Sequence, residues 1–200
     1  MIMKILLAAP DRDFLTCYSK LLEGEFGEIV TAFDGPQIIA FVSSEPFDGV
    51  ILDSNLPRMA SKAIIARVQE KGVPVLVLTP SPVSAHQLTE EPLPNGFLTY
   101  PFIAATLTET VRDMLEKASS NERLSVGGTE IDVSAFRIRG GPSLTAGEID
   151  AIRSLLNGEL LSTNDGAYIS ALNAKLARVR AKTSIQYRAR KGFELVNEDE

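Results

Sequence analysis

Asp53 is the residue in this 200-residue chain best placed to do chemistry. It follows Val50-Ile51-Leu52, a short apolar run that suits a central parallel strand covered on both faces, and Leu56-Pro57 then ends the run because proline donates no ladder hydrogen bond. Ligands of open α/β sheets bind beyond the carboxyl ends of the strands, which is where this carboxylate would stand. The plain alternative is a solvated acid at a strand end. One histidine, His86, and one cysteine, Cys17, leave no histidine-rich metal site, Ser-His-Asp triad or internal disulfide to expect. No nucleophile–base pair, phosphate-binding glycine loop or metal cluster is evident, so neither an enzyme, a cofactor nor a bound metal is expected.

The elements that must position Asp53 are legible as periodicity. Lys4–Ala9 (KILLAA) is an apolar run that ends at Pro10 and reads as a first buried strand. Asp11 can cap the following helix, where Phe14, Tyr18, Leu21 and Leu22 recur at helical spacing and Cys17 reads as a small buried hydrophobe. Ile29–Phe33 is a second strand, and Gly35-Pro36 opens a helix carrying Ile38, Ile39 and Val42. After Asp53, Ile64, Ile65 and Val68 give a helix its apolar face. Val73–Leu78 is the most strand-like run, and it ends at Thr79. A Pro-rich stretch from Pro80 to Pro94 holds a weak helix and an exposed His86. Gly96–Thr99 is a short fifth strand, followed by Tyr100-Pro101 and a helix with Ile103, Leu107, Val111, Met114 and Leu115 on one face. Five strands alternating with five helices predict an α/β fold: a doubly wound five-stranded parallel sheet with its crevice at Ala9-Pro10 and Asp53.

Residues 1–117 resemble the receiver domain of two-component response regulators, the CheY-like flavodoxin fold. The resemblance is carried by KILL, FDGVILDSNLPRM, VPVLVLT and FLTYPF, spread over the whole segment. It implies that Asp53 matches the phosphoryl-accepting aspartate, Thr79 the hydroxyl that moves towards the phosphate, and Phe97 the aromatic that rotates with it. The family's two acids after the first strand, which help hold Mg²⁺, are replaced here by Ala9 and Pro10. Asp11 comes one residue late and is expected in the helix cap. The family's lysine before the Pro-Phe pair is Tyr100 here. Phosphoryl transfer relies on charge neutralisation by metal and cation, and a single carboxylate is a poor Mg²⁺ site. The receiver is therefore expected to be atypical, with Asp53 a vestigial acceptor. Thr79 reads equally as a hydroxyl that satisfies a strand-end backbone group, Phe97 as core, and Tyr100 as a cover that reaches Asp53 with its hydroxyl. In related regulators the fourth helix, fifth strand and fifth helix pair in a symmetric dimer. Arg112, Asp113, Glu116 and Lys117 are the expected ion-pairing residues of that face.

Residues 118–123 read as a polar linker, and 124–200 as a second, α+β domain. Leu124–Val126, Glu130–Val133 and Phe136–Arg139 are short strand-like pieces separated by turns. Thr145 and Glu148 make a capping box before a helix with Ile149, Ile152, Leu155 and Leu156. A helix over about Tyr168–Lys182 carries Ile169, Leu172, Leu176 and Val179 inward, and Ile185–Val196 reads as a hairpin. The small sheet, LTAGEIDAIRSLL and the terminal RKGFELV resemble the winged-helix effector domain of the OmpR/PhoB class. Only Gly158–Ala167 separates the two helices, too short for that class's separate positioning helix and loop.

Charge agrees with that resemblance. From Gly166 to Phe193 there are seven Lys and Arg and no acid, whereas residues 1–117 carry nine Lys and Arg against fifteen Asp and Glu. A basic helix and wing suit a nucleic-acid backbone. Asn173, Lys175, Arg178 and Lys182 are the expected outward face of the helix, with Arg188, Arg190 and Lys191 on the wing. The alternative is a solvated basic face that balances the acidic first half. The expected partners are double-stranded DNA, a second copy of the chain, and other signalling proteins, with no membrane: no apolar run approaches the ~18 residues of a span. The start MIMKILLAAP is too short for a signal peptide, so the cytoplasm is the expected compartment. Two functions follow: a DNA-binding transcription regulator independent of phosphorylation, or a protein-interaction adaptor that binds no DNA.

Overall fold

The computed structural model describes residues 2–80, 92–120, 122–126, 128–159, 161, 166–179, 183–188 and 192–197. It divides into two units, Met1–Glu116 and Lys117–Glu200.

The first unit is built on β1 (Met3–Ala8), β2 (Gly27–Ala32), β3 (Gly49–Asp53), β4 (Val75–Thr79) and β5 (Gly96–Thr99). All neighbours are parallel, in the order β2-β1-β3-β4-β5. Every residue of β3 and β4 is buried, as their continuous Val/Ile/Leu runs require. Val50, Ile51 and Leu52 are fully buried, a gain of about 1.5–3 kcal/mol for each side chain. Parallel strands need helical crossovers, supplied among the described residues by α1 (Arg12–Phe26), α2 (Gly35–Ser44), α3 (Ser61–Gln69) and α4 (Ala104–Ser119).

Local chemistry places these elements. Asp11 caps α1, accepting the N–H groups of Asp13 and Phe14 at 2.8 and 3.0 Å. Asp34 caps α2 through Gln37 N–H, and Arg58, at φ 70, reaches back to the same carboxylate at 3.0 Å. Gly27 ends α1 at φ 119, and a Cβ there would lie 3.0 Å from the Met3 carbonyl oxygen, so the tight entry into β2 requires glycine. Asn95 holds the entry to β5: its amide oxygen accepts Val75 N–H at 2.7 Å while its own N–H donates to Val75 O at 2.8 Å.

Two readings of the first half change. Cys17 is exposed, on the outer side of α1, and is no core residue. Ile103 lies just ahead of α4 and is 70% exposed; its carbonyl accepts Leu107 N–H, so it starts the helix instead of lining its buried face. Most of the Pro-rich stretch, with His86, falls on 81–91, outside the described residues.

The second unit opens with an antiparallel sheet of β6 (Arg123–Val126), β7 (Thr129–Asp132) and β8 (Arg137–Ile138). The helix α4 runs through Ser119, so only a short connection precedes β6. Then come α5 (Ala146–Leu156), α6 (Gly166–Arg178) and the antiparallel hairpin β9 (Thr183–Arg188) with β10 (Gly192–Asn197). Thr145 and Glu148 form the full capping box of α5. Leu161 bridges to Phe193 beside the hairpin.

Packing of α6 corrects two expected outward residues. Lys175 is buried, its ammonium bonded to both carboxylate oxygens of Glu148 at 2.7 and 2.6 Å. Asn173 turns to β9, donating to Ile185 O and accepting Ile185 N–H, both at 2.8 Å. Each flanks the apolar stripe of Ile169, Leu172 and Leu176, where side chains meet the neighbouring elements instead of solvent. Lys117 is corrected as well: it is 3% exposed and pairs with Asp150 at 3.0 Å, so it offers no free charge to a dimer face.

Breaking one side of a buried ion pair leaves an uncompensated charge, at a cost of about 3–5 kcal/mol. Lys175→Met is therefore expected to lower the stability of the second unit by that amount. Adding Glu148→Gln, which keeps the capping box, should restore much of the loss. Urea unfolding of the single and double variants measures this, and strictly additive losses would count against the coupling.

Candidate functional site

The carboxyl ends of β1, β3 and β5 converge on Asp53, which is 8% exposed. One carboxylate oxygen accepts the N–H of Asn55 at 2.7 Å, the tight turn that Leu56-Pro57 completes. The other accepts the hydroxyl of Tyr100 at 2.8 Å. Tyr100 arrives there because the β4–β5 ladder continues one step past the strands: its N–H donates to Thr79 O at 2.8 Å. Burial, and the Asp53 carboxylate that takes its hydrogen bond, push the Tyr100 phenol well above its ordinary pKa.

Around this bond four rings close a cycle. Phe14 packs on Tyr18 at 4.4 Å, one helical turn along α1, and meets Tyr100 edge-on at 6.2 Å. Tyr100 stacks on Phe102 at 5.0 Å, and Phe102 meets Tyr18 edge-on at 5.8 Å. Offset and edge-to-face contacts at these separations contribute about 0.5–1.5 kcal/mol each beyond area burial. The cover over the carboxylate is thus aromatic, with one phenol oxygen facing in. Helical spacing placed Phe14 and Tyr18 on one face, and Tyr100 and Phe102 alternate by two. Their convergence came only with the tertiary fold.

The other pocket residues lie as follows. Ala9 is buried at the end of β1, Pro10 is exposed, and Asp11 spends its carboxylate on the α1 cap. Thr79 is fully buried at the end of β4. Phe97 is half-buried against the core cluster that includes Val75 and Val77. A divalent cation of the Mg²⁺ kind needs several oxygen donors, usually carboxylates with waters or phosphate. Here it would meet one carboxylate with both oxygens already engaged, beside an alanine and a proline. The donor set does not fit such an ion. Among the described residues, no group of three or more His, Cys, Asp and Glu side chains is gathered to hold a metal.

On the expected dimer face, Arg112 pairs with Glu25 of its own unit at 2.8 Å, and Glu116 is exposed. Asp113 is half-buried. In the second unit Arg178 is exposed at the end of α6, beside exposed Ser170, Ala174 and Ala177. Arg188 closes β9 opposite Gly192. The Arg188 side chain, and residues Lys182, Arg190 and Lys191, lie outside the described residues.

The five-stranded parallel sheet, its order and an aspartate at the end of β3 give the first unit the fold of a CheY-like receiver domain. CheY4 of Vibrio cholerae is 27% identical, covering 57% of this chain and 99% of that one at a TM-score of 0.52. The transcriptional regulatory protein PrrA of Mycobacterium tuberculosis, like that of Mycobacterium bovis, is 28% identical over 144 residues, or 68% of this chain. That match spans 62% of the relatives' own length. A RitR mutant shares the fold over 98% of this chain and 99% of its own, with a TM-score of 0.66 at 18% identity. No family model matches the chain. No helix among the described residues is long and apolar enough to cross a membrane.

With its folded pKa raised, Tyr100 contributes its full stabilisation below the ordinary tyrosine value of about 10, and the contribution falls as pH rises beyond it, where the unfolded chain ionises. The difference in tyrosinate absorbance between the parent and Tyr100→Phe is expected to show no transition near pH ~10 in the folded protein and a normal one in denaturant. A Tyr100 transition at the ordinary value in the folded protein would contradict the Tyr100–Asp53 bond.

Proposed function

We propose that this chain is a response-regulator-type transcription regulator that binds DNA independently of phosphorylation. One observation carries the reading: the phenol of Tyr100 stands 2.8 Å from Asp53, where phosphoryl chemistry needs a cation. Asp53 is a vestigial acceptor in this reading, and the receiver's state is set by packing and partners. The likeness to PrrA, a transcriptional regulatory protein, supports the regulatory half of the proposal. The α6 helix and the β9–β10 hairpin act as the recognition helix and wing of a winged-helix-like effector domain. The protein acts by binding, not catalysis, in the cytoplasm. It works as a homodimer in which the receivers pair through the α4–β5 face, with Arg112, Asp113 and Glu116 at its rim. Exposed ion pairs of that kind add little, so apolar contact supplies the affinity.

The inward turn of Asn173 and Lys175 favours a second reading, a protein-interaction adaptor without DNA binding, because it removes two polar groups from the groove-facing side of α6.

Incubation with a small phosphodonor and Mg²⁺ is expected to leave the mass unchanged; a stoichiometric gain lost in Asp53→Asn would overturn phosphorylation independence. Duplex binding separates the two readings. Arg178→Ala is expected to cost about 1–3 kcal/mol on a specific site and much less on random DNA. Replacing Arg190 and Lys191 together with Ala should weaken all duplexes alike and lower the salt slope by about two units. If the parent binds no duplex at low salt, the adaptor reading stands.

A further inference from the structure

The Tyr100 ring joins the carboxylate to α1 and to the segment that leads into α4, and that arrangement suggests how the site is regulated. We propose that the Tyr100–Asp53 bond and the ring cycle form a latch that sets the position of the β5–α4 surface. The receiver then changes state when the phenol leaves the carboxylate, with no covalent change at Asp53. The inference rests on the reading of Asp53 as a vestigial acceptor.

Three features of the geometry carry it. The backbone of Tyr100 is tied to Thr79 O, so the residue leaves the sheet in a set direction and its side chain, not its main chain, is the part free to swing. The ring is stacked on Phe102, and the residue after Phe102 is Ile103, whose carbonyl accepts Leu107 N–H at 3.3 Å and so opens the hydrogen-bond ladder of α4. A swing of the phenol away from Asp53 therefore disturbs the segment that sets where α4 begins. On its other side the ring meets Phe14, on a helix whose start is pinned by the Asp11 cap and whose Leu15 is buried. The α1 side of the cycle is anchored, and the displacement falls on Phe102 and α4. The hydroxyl is the switchable contact, because its bond to Asp53 is what ties the ring to the end of β3.

Hydrogen exchange on the full chain, without DNA or phosphodonor, tests this. Tyr100→Phe keeps the ring and deletes the donor, and Asp53→Ala deletes the acceptor. Each is expected to speed exchange several-fold at the amides of residues 102–108 while the amides of β1 keep the parent's rates. The double variant should exchange no faster at 102–108 than Asp53→Ala alone, because Asp53→Ala already removes the Tyr100 contact along with the Asn55 N–H bond. Asp53→Asn, whose oxygen can take Asn55 N–H while its NH2 donates to the phenol oxygen, should stay near the parent. Unchanged rates at 102–108, additive effects in the double variant, or an equal increase throughout β1 would each overturn the latch. None of these readouts involves phosphate or a duplex. A mass gain with a phosphodonor, or a failure to bind DNA, is thus scored separately from the failure of the latch.

Discussion

A carboxylate at the end of a strand whose every residue is buried has to be given hydrogen-bond partners, since an ionised group stripped of water and left alone is far too costly. This chain answers Asp53 with two neutral donors, a backbone N–H and a phenol. Much of the first unit follows from that choice. The phenol can reach only if β5 lies beside β4 in the right register, which Asn95 secures at the strand's other end. A half-buried phenol in turn packs against apolar neighbours, and α1 and the segment before α4 supply them as rings. The crevice beside Asp53 is thereby lined by rings.

The sheet itself was plain in the sequence. Runs such as Val50-Ile51-Leu52 and Val75–Leu78 can satisfy their backbones and bury both faces only in the middle of a parallel sheet, and there they stand. The placement of Ala9, Pro10 and Tyr100 near Asp53 was legible too, because they fall at strand ends that any α/β topology brings together. The ring cycle was not. Phe14 and Tyr18 lie more than eighty positions from Tyr100, and no local pattern reports contacts of that range. Cys17 misled because an apolar neighbourhood on a helix says little unless the residue lies on the stripe itself.

The second unit holds a different lesson. Successive helical residues advance about 100°, so Asn173 and Lys175 lie about 80° either side of the stripe centred between Leu172 and Leu176, whereas Arg178 lies about 140° away. A flanking position is reached by a neighbouring element as easily as by solvent. Lys175 met a carboxylate already committed to capping α5, and Asn173 met the backbone of β9. A capping-box glutamate with spare acceptor capacity was the feature in the sequence that could have pointed to a buried lysine; the wheel alone separates only Arg178 cleanly.

The hydrogen bond from Tyr100 also bears on why an aspartate occupies position 53 at all. Replacing it with an apolar residue would leave a half-buried hydroxyl without its acceptor, at a cost of about 1 kcal/mol out of the roughly 5–15 kcal/mol by which a domain stays folded. Selection for folding alone is then sufficient to hold the aspartate in place. An intact carboxylate at the end of β3 is then accounted for by architecture, and its presence alone is no testimony to phosphate chemistry.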